Sequence, residues 1–265
     1  MTPVPIYQID AFTQRVFGGN PAALVPLESW LPDAQLQSIS AENNLSETVF
    51  LVRSEGTDAD FAMRWFTPTH EVELCGHATL ASAWWLFHHG GWAAESVTFD
   101  TQSGVLSAQR YGSQVEIDLP SRPSEPDMSA RDELAAALGC APTEVRRGAN
   151  WIAVFDDESS VRTLNPDFRA LAALHPLGVI VTAPGEQVDI VSRYFAPSFG
   201  IDEDPVTGSA HADLAPYWSA RLNKDQLSAR QLSARGGELE LHFEAQRVKL
   251  RGDCRLFLRG EILLP

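Results

Sequence analysis

Basic residues are scarce in this chain: 20 Lys and Arg stand against 35 Asp and Glu, a formal net charge of −15. That excess repels phosphate backbones and anionic headgroups, and no Lys/Arg stripe concentrates the few cations, so neither nucleic acid nor a membrane is expected as a partner. Solubility alone accounts for the acidity. Cysteine is scarcer still. Cys75, Cys140 and Cys254 are widely spaced and odd in number, with no CxxC pair and no His at a zinc-finger interval, which disfavours a disulfide framework. Long apolar runs are missing too. The longest, Thr79 to Phe87, falls far short of the roughly 20 residues a membrane-spanning helix needs. The opening Met1-Thr2-Pro3-Val4-Pro5 has neither the basic nor the apolar region of a leader, and a cytoplasmic location is expected.

What is present is apolar material, 44% of 265 residues, enough for one large core or two ordinary ones. Self-similarity favours two. Arg64-Trp65-Phe66-Thr67-Pro68 is matched by Arg193-Tyr194-Phe195-Ala196-Pro197 at an offset of 129 (193 − 64). Asn20-Pro21-Ala22-Ala23-Leu24-Val25 parallels Asn150-Trp151-Ile152-Ala153-Val154-Phe155 at 130 (150 − 20), and Val115-Glu116-Ile117 parallels Val248-Lys249-Leu250 at 133 (248 − 115). Matches in one order at nearly one offset imply an internal duplication. Between the halves, the proline-rich Pro120 to Pro126 suits a linker, so domains are expected at 1–121 and 122–265.

Each half reads as strand, helix, strands, central helix and strand meander. In the first, helix is expected from Pro32-Asp33 to Asn43, strand over Thr48 to Val52 and Phe61 to Phe66, and alternating strands from Val97 to Leu119 broken at Gly104 and Gly112. In the second, Asp167 to Leu174 reads as helix, with Asn165-Pro166 as its cap and first turn. Gly178 to Thr182 and Val188 to Phe195 read as strands, and Leu239, Leu241 and Phe243 alternate with polar residues. The central helices are Thr79 to His88, apolar nearly all round as burial requires, and Ser209 to Leu222, which carries Pro216.

Both central helices begin after short segments rich in small and reactive residues: Cys75-Gly76-His77, and Asp204-Pro205-Val206-Thr207-Gly208-Ser209. Helix N-termini carry N–H groups without intrahelical partners and favour anions. If the halves face each other, these two helix starts would share a cleft suited to a carboxylate. Tight turns at Gly76 and Gly208 and an ordinary cap at Thr207 or Ser209 are the structural alternative.

At these residues the chain resembles the PhzF-like (phenazine biosynthesis) family of the diaminopimelate epimerase-like fold. The matching segments are Phe17-Gly18-Gly19-Asn20-Pro21-Ala22, Ser46-Glu47-Thr48-Val49-Phe50, Cys75-Gly76-His77-Ala78-Thr79-Leu80-Ala81 and Glu203-Asp204-Pro205-Val206-Thr207-Gly208-Ser209-Ala210. The resemblance implies an α/β (α+β) fold of two similar domains related by a pseudo-two-fold. Each would be a curved, mostly antiparallel sheet around a central helix, with the site in the cleft and neither metal nor organic cofactor.

It further implies that Glu47, in the Ser-Glu-Thr motif, is the general acid/base, and it makes Asp204 and Ser209 active-site residues. A strand-end Glu and an Asp-Pro turn are the plain structural readings of Glu47 and Asp204. His77 could bond a carboxylate or relay a proton, or merely cap its helix. Asn20, Ser46, Cys75, Gly76, Thr207, Gly208 and Ser209 are expected to contact substrate, although turn formation explains the Asn20 loop almost as well.

In the ungapped alignment Cys75 faces Asp204 (204 − 75 = 129), or Pro205 with a one-residue shift, so the paired thiols of a cofactor-independent racemase are missing. Metal binding by His70, Cys75 and His77 is disfavoured, since Cys-x-His in such a turn is not a usual ligand spacing. The expected function is a cofactor-independent isomerase that shifts a proton on a small carboxylate-bearing metabolite, acting as a homodimer. A non-catalytic ligand-binding or interaction protein that keeps the cleft is the alternative.

Overall fold

The computed structural model describes residues 3–55, 58–174 and 177–264. Two compact units emerge, Met1–Asp118 with Arg251–Pro265, and Leu119–Leu250. The first runs through β1 (Pro3–Ala11), β2 (Asn20–Leu27), α1 (Asp33–Asn43), β3 (Glu47–Arg53), β4 (Phe61–Phe66), β5 (Glu71–Val72), α2 (Gly76–His88), β6 (Ser96–Thr101), β7 (Gly104–Tyr111) and β8 (Gln114–Pro120). β2 lies antiparallel to β1 and parallel to β3, β4 is antiparallel to β3 and parallel to β6, and β6, β7 and β8 form a meander. Gly104 and Gly112 both take positive φ at the turns of that meander, where the sequence breaks its alternation.

Strand alternation explains how this sheet is covered on both faces. Phe50 packs with Val25, Leu36, Ile39 and Phe66 beneath α1. Its neighbours Val49 and Leu51 point the other way, to the face on which α2 lies against β1, β2, β3 and β7. Every residue of α2 from His77 to Phe87 is buried, as its all-round apolar character requires.

The second unit contains β9 (Glu125–Pro126), α3 (Arg131–Leu138), β10 (Glu144–Arg147), β11 (Trp151–Val154), α4 (Glu158–Thr163), α5 (Phe168–Ala172), β12 (Val179–Pro184), β13 (Ile190–Ala196), β14 (Ile201–Asp204), α6 (Gly208–Leu222), β15 (Gln226–Gln231) and β16 (Gly237–Glu244). Its pairing repeats that of the first: β10 antiparallel to β11, β11 parallel to β12, β12 antiparallel to β13, and β13 parallel to β15. Val179, Val181 and Ala183 join the core under α3 to α5, while the alternate Thr182 accepts a hydrogen bond from Trp218 Nε1 of α6 at 3.0 Å.

Two expectations change. After β17 (Arg247–Gly252), β18 (Cys254–Leu263) pairs antiparallel with β1 from Pro3↔Leu263 to Ala11↔Cys254, so residues 251–265 belong to the first unit and not to the second domain. Long-range pairing of two chain ends leaves no trace in local sequence. The cap of α5 is Asp167, whose side chain accepts from the Arg169 and Ala170 amides, and not Asn165. The α6 helix runs on through Pro216. That residue has no N–H to offer the Ala212 carbonyl, which accepts instead from Arg122 N–H at 3.1 Å, so the proline gap becomes the anchor of the linker.

Candidate functional site

Asn20 is delivered by the loop joining β1 and β2. Gly19 there has φ +62°, and a Cβ on it would lie 2.0 Å from the Ala11 carbonyl oxygen, so only glycine fits. Phe17 also takes positive φ, and its N–H donates to buried Asp10 Oδ2 at 3.0 Å. With the loop pinned, Asn20 is wholly buried as the first residue of β2. Its Oδ1 accepts from Ser46 Oγ at 3.4 Å, and its Nδ2 lies 3.4 Å from His77 Nδ1.

Glu47 opens β3 in parallel register with Ala22, which sets it beside the Asn20 strand. Its Oε2 is 3.3 Å from His77 Nε2, an ion-pair distance without hydrogen-bond alignment, and its side chain is 14% exposed. Cys75 is the N-cap of α2 in extended conformation, and its Sγ lies 3.4 Å from His77 Nδ1. Burial pushes His77 down to about 4, opposed by a hydrogen bond to the Pro21 backbone. The imidazole is therefore neutral near pH 7, which removes it as a cationic anchor and leaves it lying between a carboxylate and a thiol. The first unit thus brings Asn20, Ser46, Glu47, Cys75 and His77 into one cluster. His70 stands apart, exposed among Thr67 and Thr69.

Asp204, Thr207, Gly208 and Ser209 gather in the second unit. Thr207 is the N-cap of α6, yet its hydroxyl bonds Asp204 Oδ2 in place of capping the helix. Cys75 likewise makes no side-chain cap, so neither central helix is closed by its own N-cap residue. Gln231, wholly buried on β15, clamps the turn: Nε2 donates to the Asp204 carbonyl at 2.7 Å, and Oε1 accepts from Thr207 N–H at 2.9 Å. Ser233 Oγ donates to the Pro205 carbonyl at 2.7 Å. His211, pushed down to about 4 by burial, sits 2.8 Å from the Thr207 carbonyl and 3.3 Å from Ser192 Oγ.

The expected facing of Cys75 and Asp204 does not survive the structural alignment. The two helix N-caps are Cys75 and Thr207, 132 apart (207 − 75), and Trp65↔Val72 corresponds to Tyr194↔Asp204. A register shift in β13 and the short helix Pro197–Phe199 absorb the extra residues. Thr207 is the counterpart of Cys75, Ser209 of His77, and Asp204 of Val72. A second thiol stands at neither alignment.

Sequence reasoning missed Gln231, Asp10 and a further group, Asn150, Tyr194 and Asp213. Asn150 Nδ2 donates to Asp213 Oδ2 at 2.6 Å, and its Oδ1 accepts from Tyr194 O–H at 3.2 Å. Asp213 Oδ1 is buried without a hydrogen-bond partner among the described residues, and burial pushes the carboxyl up to about 6. The alignment of Asn150 with Asn20 was the available signal. Gln231 had none, because only strand pairing brings it to the turn.

Comparison with known proteins identifies the family and the fold. The model of the phenazine biosynthesis-like protein family matches residues 9–260. An "uncharacterized isomerase" of Pseudomonas aeruginosa is 48% identical over 259 residues, 98% of each chain. The human phenazine biosynthesis-like domain-containing protein is 39% identical over 284 residues, 98% of this chain and 99% of its own. The crystal structure of a PhzF-family phenazine biosynthesis protein from Enterococcus faecalis superposes with a TM-score of 0.93 at 47% identity, over 99% of this chain and all of that one. A hydroxyproline epimerase from Agrobacterium vitis shares the fold, with a TM-score of 0.64 at 12% identity over 99% of this chain and 91% of its own. With the duplicated α/β frame in place and the family pattern running almost end to end, the chain belongs to the phenazine biosynthesis-like (PhzF-like) family and has its epimerase-like fold.

Proposed function

We propose that the chain is a cofactor-independent isomerase that moves a proton between carbons of a small carboxylate-bearing metabolite, with Glu47 as the proton carrier. The observation that carries this reading is the placement of Glu47 at the start of β3, mostly buried and 3.3 Å from His77 Nε2. The name of the Pseudomonas relative, an isomerase, supports it. Glu47 takes the proton as carboxylate, the C–H electron pair moves into the neighbouring π-system, and the carboxylic acid returns the proton at the far carbon, so no electron is gained or lost.

His77 orients the carboxylate, while Asn20 and Ser46 hold the ring. Asp204 fixes a substrate hydroxyl or amine and orients the proton acceptor, Thr207, Gly208 and Ser209 bind substrate, and Gly76 and the helix N-termini favour its acid group. A cytoplasmic homodimer completes the reading. A non-catalytic binder would have no use for a buried carboxylate beside an imidazole.

The test is solvent deuterium incorporation into a panel of small unsaturated carboxylic acids, followed by NMR. Wild type should exchange at least one, and Glu47→Gln should lose about 10²- to 10⁴-fold in rate. Binding without exchange by the wild-type protein would favour the ligand-binding alternative.

A further inference from the structure

We propose that Glu47, Cys75 and His77 form a binding site for a borderline-soft divalent cation, zinc foremost, whose occupancy takes Glu47 out of use. One ligand atom from each of the three residues lies within 4.8 Å of the other two. Cys75 Sγ is 3.4 Å from His77 Nδ1, and Glu47 Oε2 is 3.3 Å from His77 Nε2. Donor atoms around a four-coordinate zinc stand roughly 3.3–3.7 Å apart, given bonds of about 2.0–2.3 Å. Both contacts are already at that spacing. They reach opposite ring nitrogens, however, so binding requires side-chain rotations that bring thiol and carboxylate to one of them.

In the sequence, Cys-x-His spoke against a metal because that spacing in such a turn is unusual for ligands and no second cluster offered a further donor. Parallel pairing of β2 with β3 supplies one, Glu47, from outside that motif. A thiolate and a carboxylate together neutralise a dication, which suits a place where Glu47 is 14% exposed and His77 and Cys75 about 6% each. A sulfur, a nitrogen and an oxygen donor select zinc or cobalt over magnesium and calcium, which demand oxygen. Three protein donors leave a fourth position for water or substrate. The Pro21 backbone carbonyl, which accepts from the His77 ring, is placed to orient it as an outer partner. Loss of catalysis on metal binding rests on the role proposed for Glu47; the site itself does not.

The experiment is a Co²⁺ titration of the reduced, full-length protein carrying Cys140→Ser, which removes the exposed thiol. One equivalent should develop thiolate-to-cobalt charge-transfer absorption in the near ultraviolet with four-coordinate visible bands. Zn²⁺ should bleach both, and Mg²⁺ and Ca²⁺ neither. Cys75→Ser should lose the charge-transfer band while melting at the same temperature. Glu47→Gln should keep the band but weaken binding by about tenfold or more, at least the loss an outer partner causes. No band in the parent protein, or an unchanged band in Cys75→Ser, overturns the proposal. Because the readout is spectroscopic, it stands whether or not deuterium exchange is found. If exchange is found, Zn²⁺ should abolish it and a chelator restore it.

Discussion

Arg64 makes a two-pronged bond to Glu71 through Nε and Nη2, each 2.7 Å, and stacks over Phe66; Arg193 does the same to Glu203, at 2.7 and 2.9 Å, over Phe195. The two halves have kept this brace side chain for side chain. They have not kept the position of the acid. The parallel register that sets Glu47 opposite Ala22 sets Ile180 opposite Ile152, so the strand position that carries a carboxylate in one unit is apolar in the other. The second unit places a buried carboxylate on helix α6 instead, as Asp213, held by Asn150, the counterpart of Asn20. Bracing contacts persist because either half would lose packing without them. The carboxylates diverge, because the frame is indifferent to which position bears the acid.

The largest expected effect tests whether each unit owns its core. Leu80 of α2 and Leu214 of α6 are both fully buried. Truncation to Ala should cost about 2–5 kcal/mol in either case. Hydrogen exchange should accelerate in β1 to β7 for Leu80→Ala and in β11 to β16 for Leu214→Ala. Acceleration in both units from either change would end the notion of separate cores.

Next comes pH. Asp213, raised from 3.8 to about 6 by burial, stabilises fully only below its ordinary value, and its contribution of about 3 kcal/mol is lost as pH rises through 6. His211, lowered from 6.5 to about 4, has the opposite sign: about 3 kcal/mol, full above 6.5 and lost as pH falls through 4. Between those limits the two oppose one another. Urea midpoints should therefore drop more steeply on acidification in Asp213→Asn than in wild type, and less steeply in His211→Gln. Equal slopes in all three proteins would contradict both burial effects.

The smallest effect concerns the shared brace. Arg64→Lys keeps the charge but loses the fork, and with 22% of the side chain exposed it should cost less than about 1 kcal/mol. Arg193 is 11% exposed and also donates to the Val161 and Leu164 carbonyls, so Arg193→Lys should cost more. Thermal melts of the two variants would rank them.

Much of this was legible in the sequence. Offsets near 130 marked the duplication, all-round apolar character marked α2 as a buried helix, and the motif around Glu47 marked the start of a strand. The ungapped offset failed at Asp204 because the extra residues fall between two well-matched segments, where neither composition nor periodicity records them. Residue type alone left His77 free to relay a proton or to cap its helix, and only its burial, which lowers it to about 4, shows that the imidazole is neutral near pH 7.

Local sequence by itself determined which segments are helix and strand and that two similar halves exist, because periodicity, turn residues and repeats act over a few neighbours. Only the tertiary structure decided that β18 closes the first unit, that Gln231 clamps the Asp204 turn, that Arg122 covers the gap left by Pro216, and that one imidazole lies between a carboxylate and a thiol. Those are pairings between residues distant in sequence. They are chosen by which buried polar groups must find partners once the apolar faces have packed.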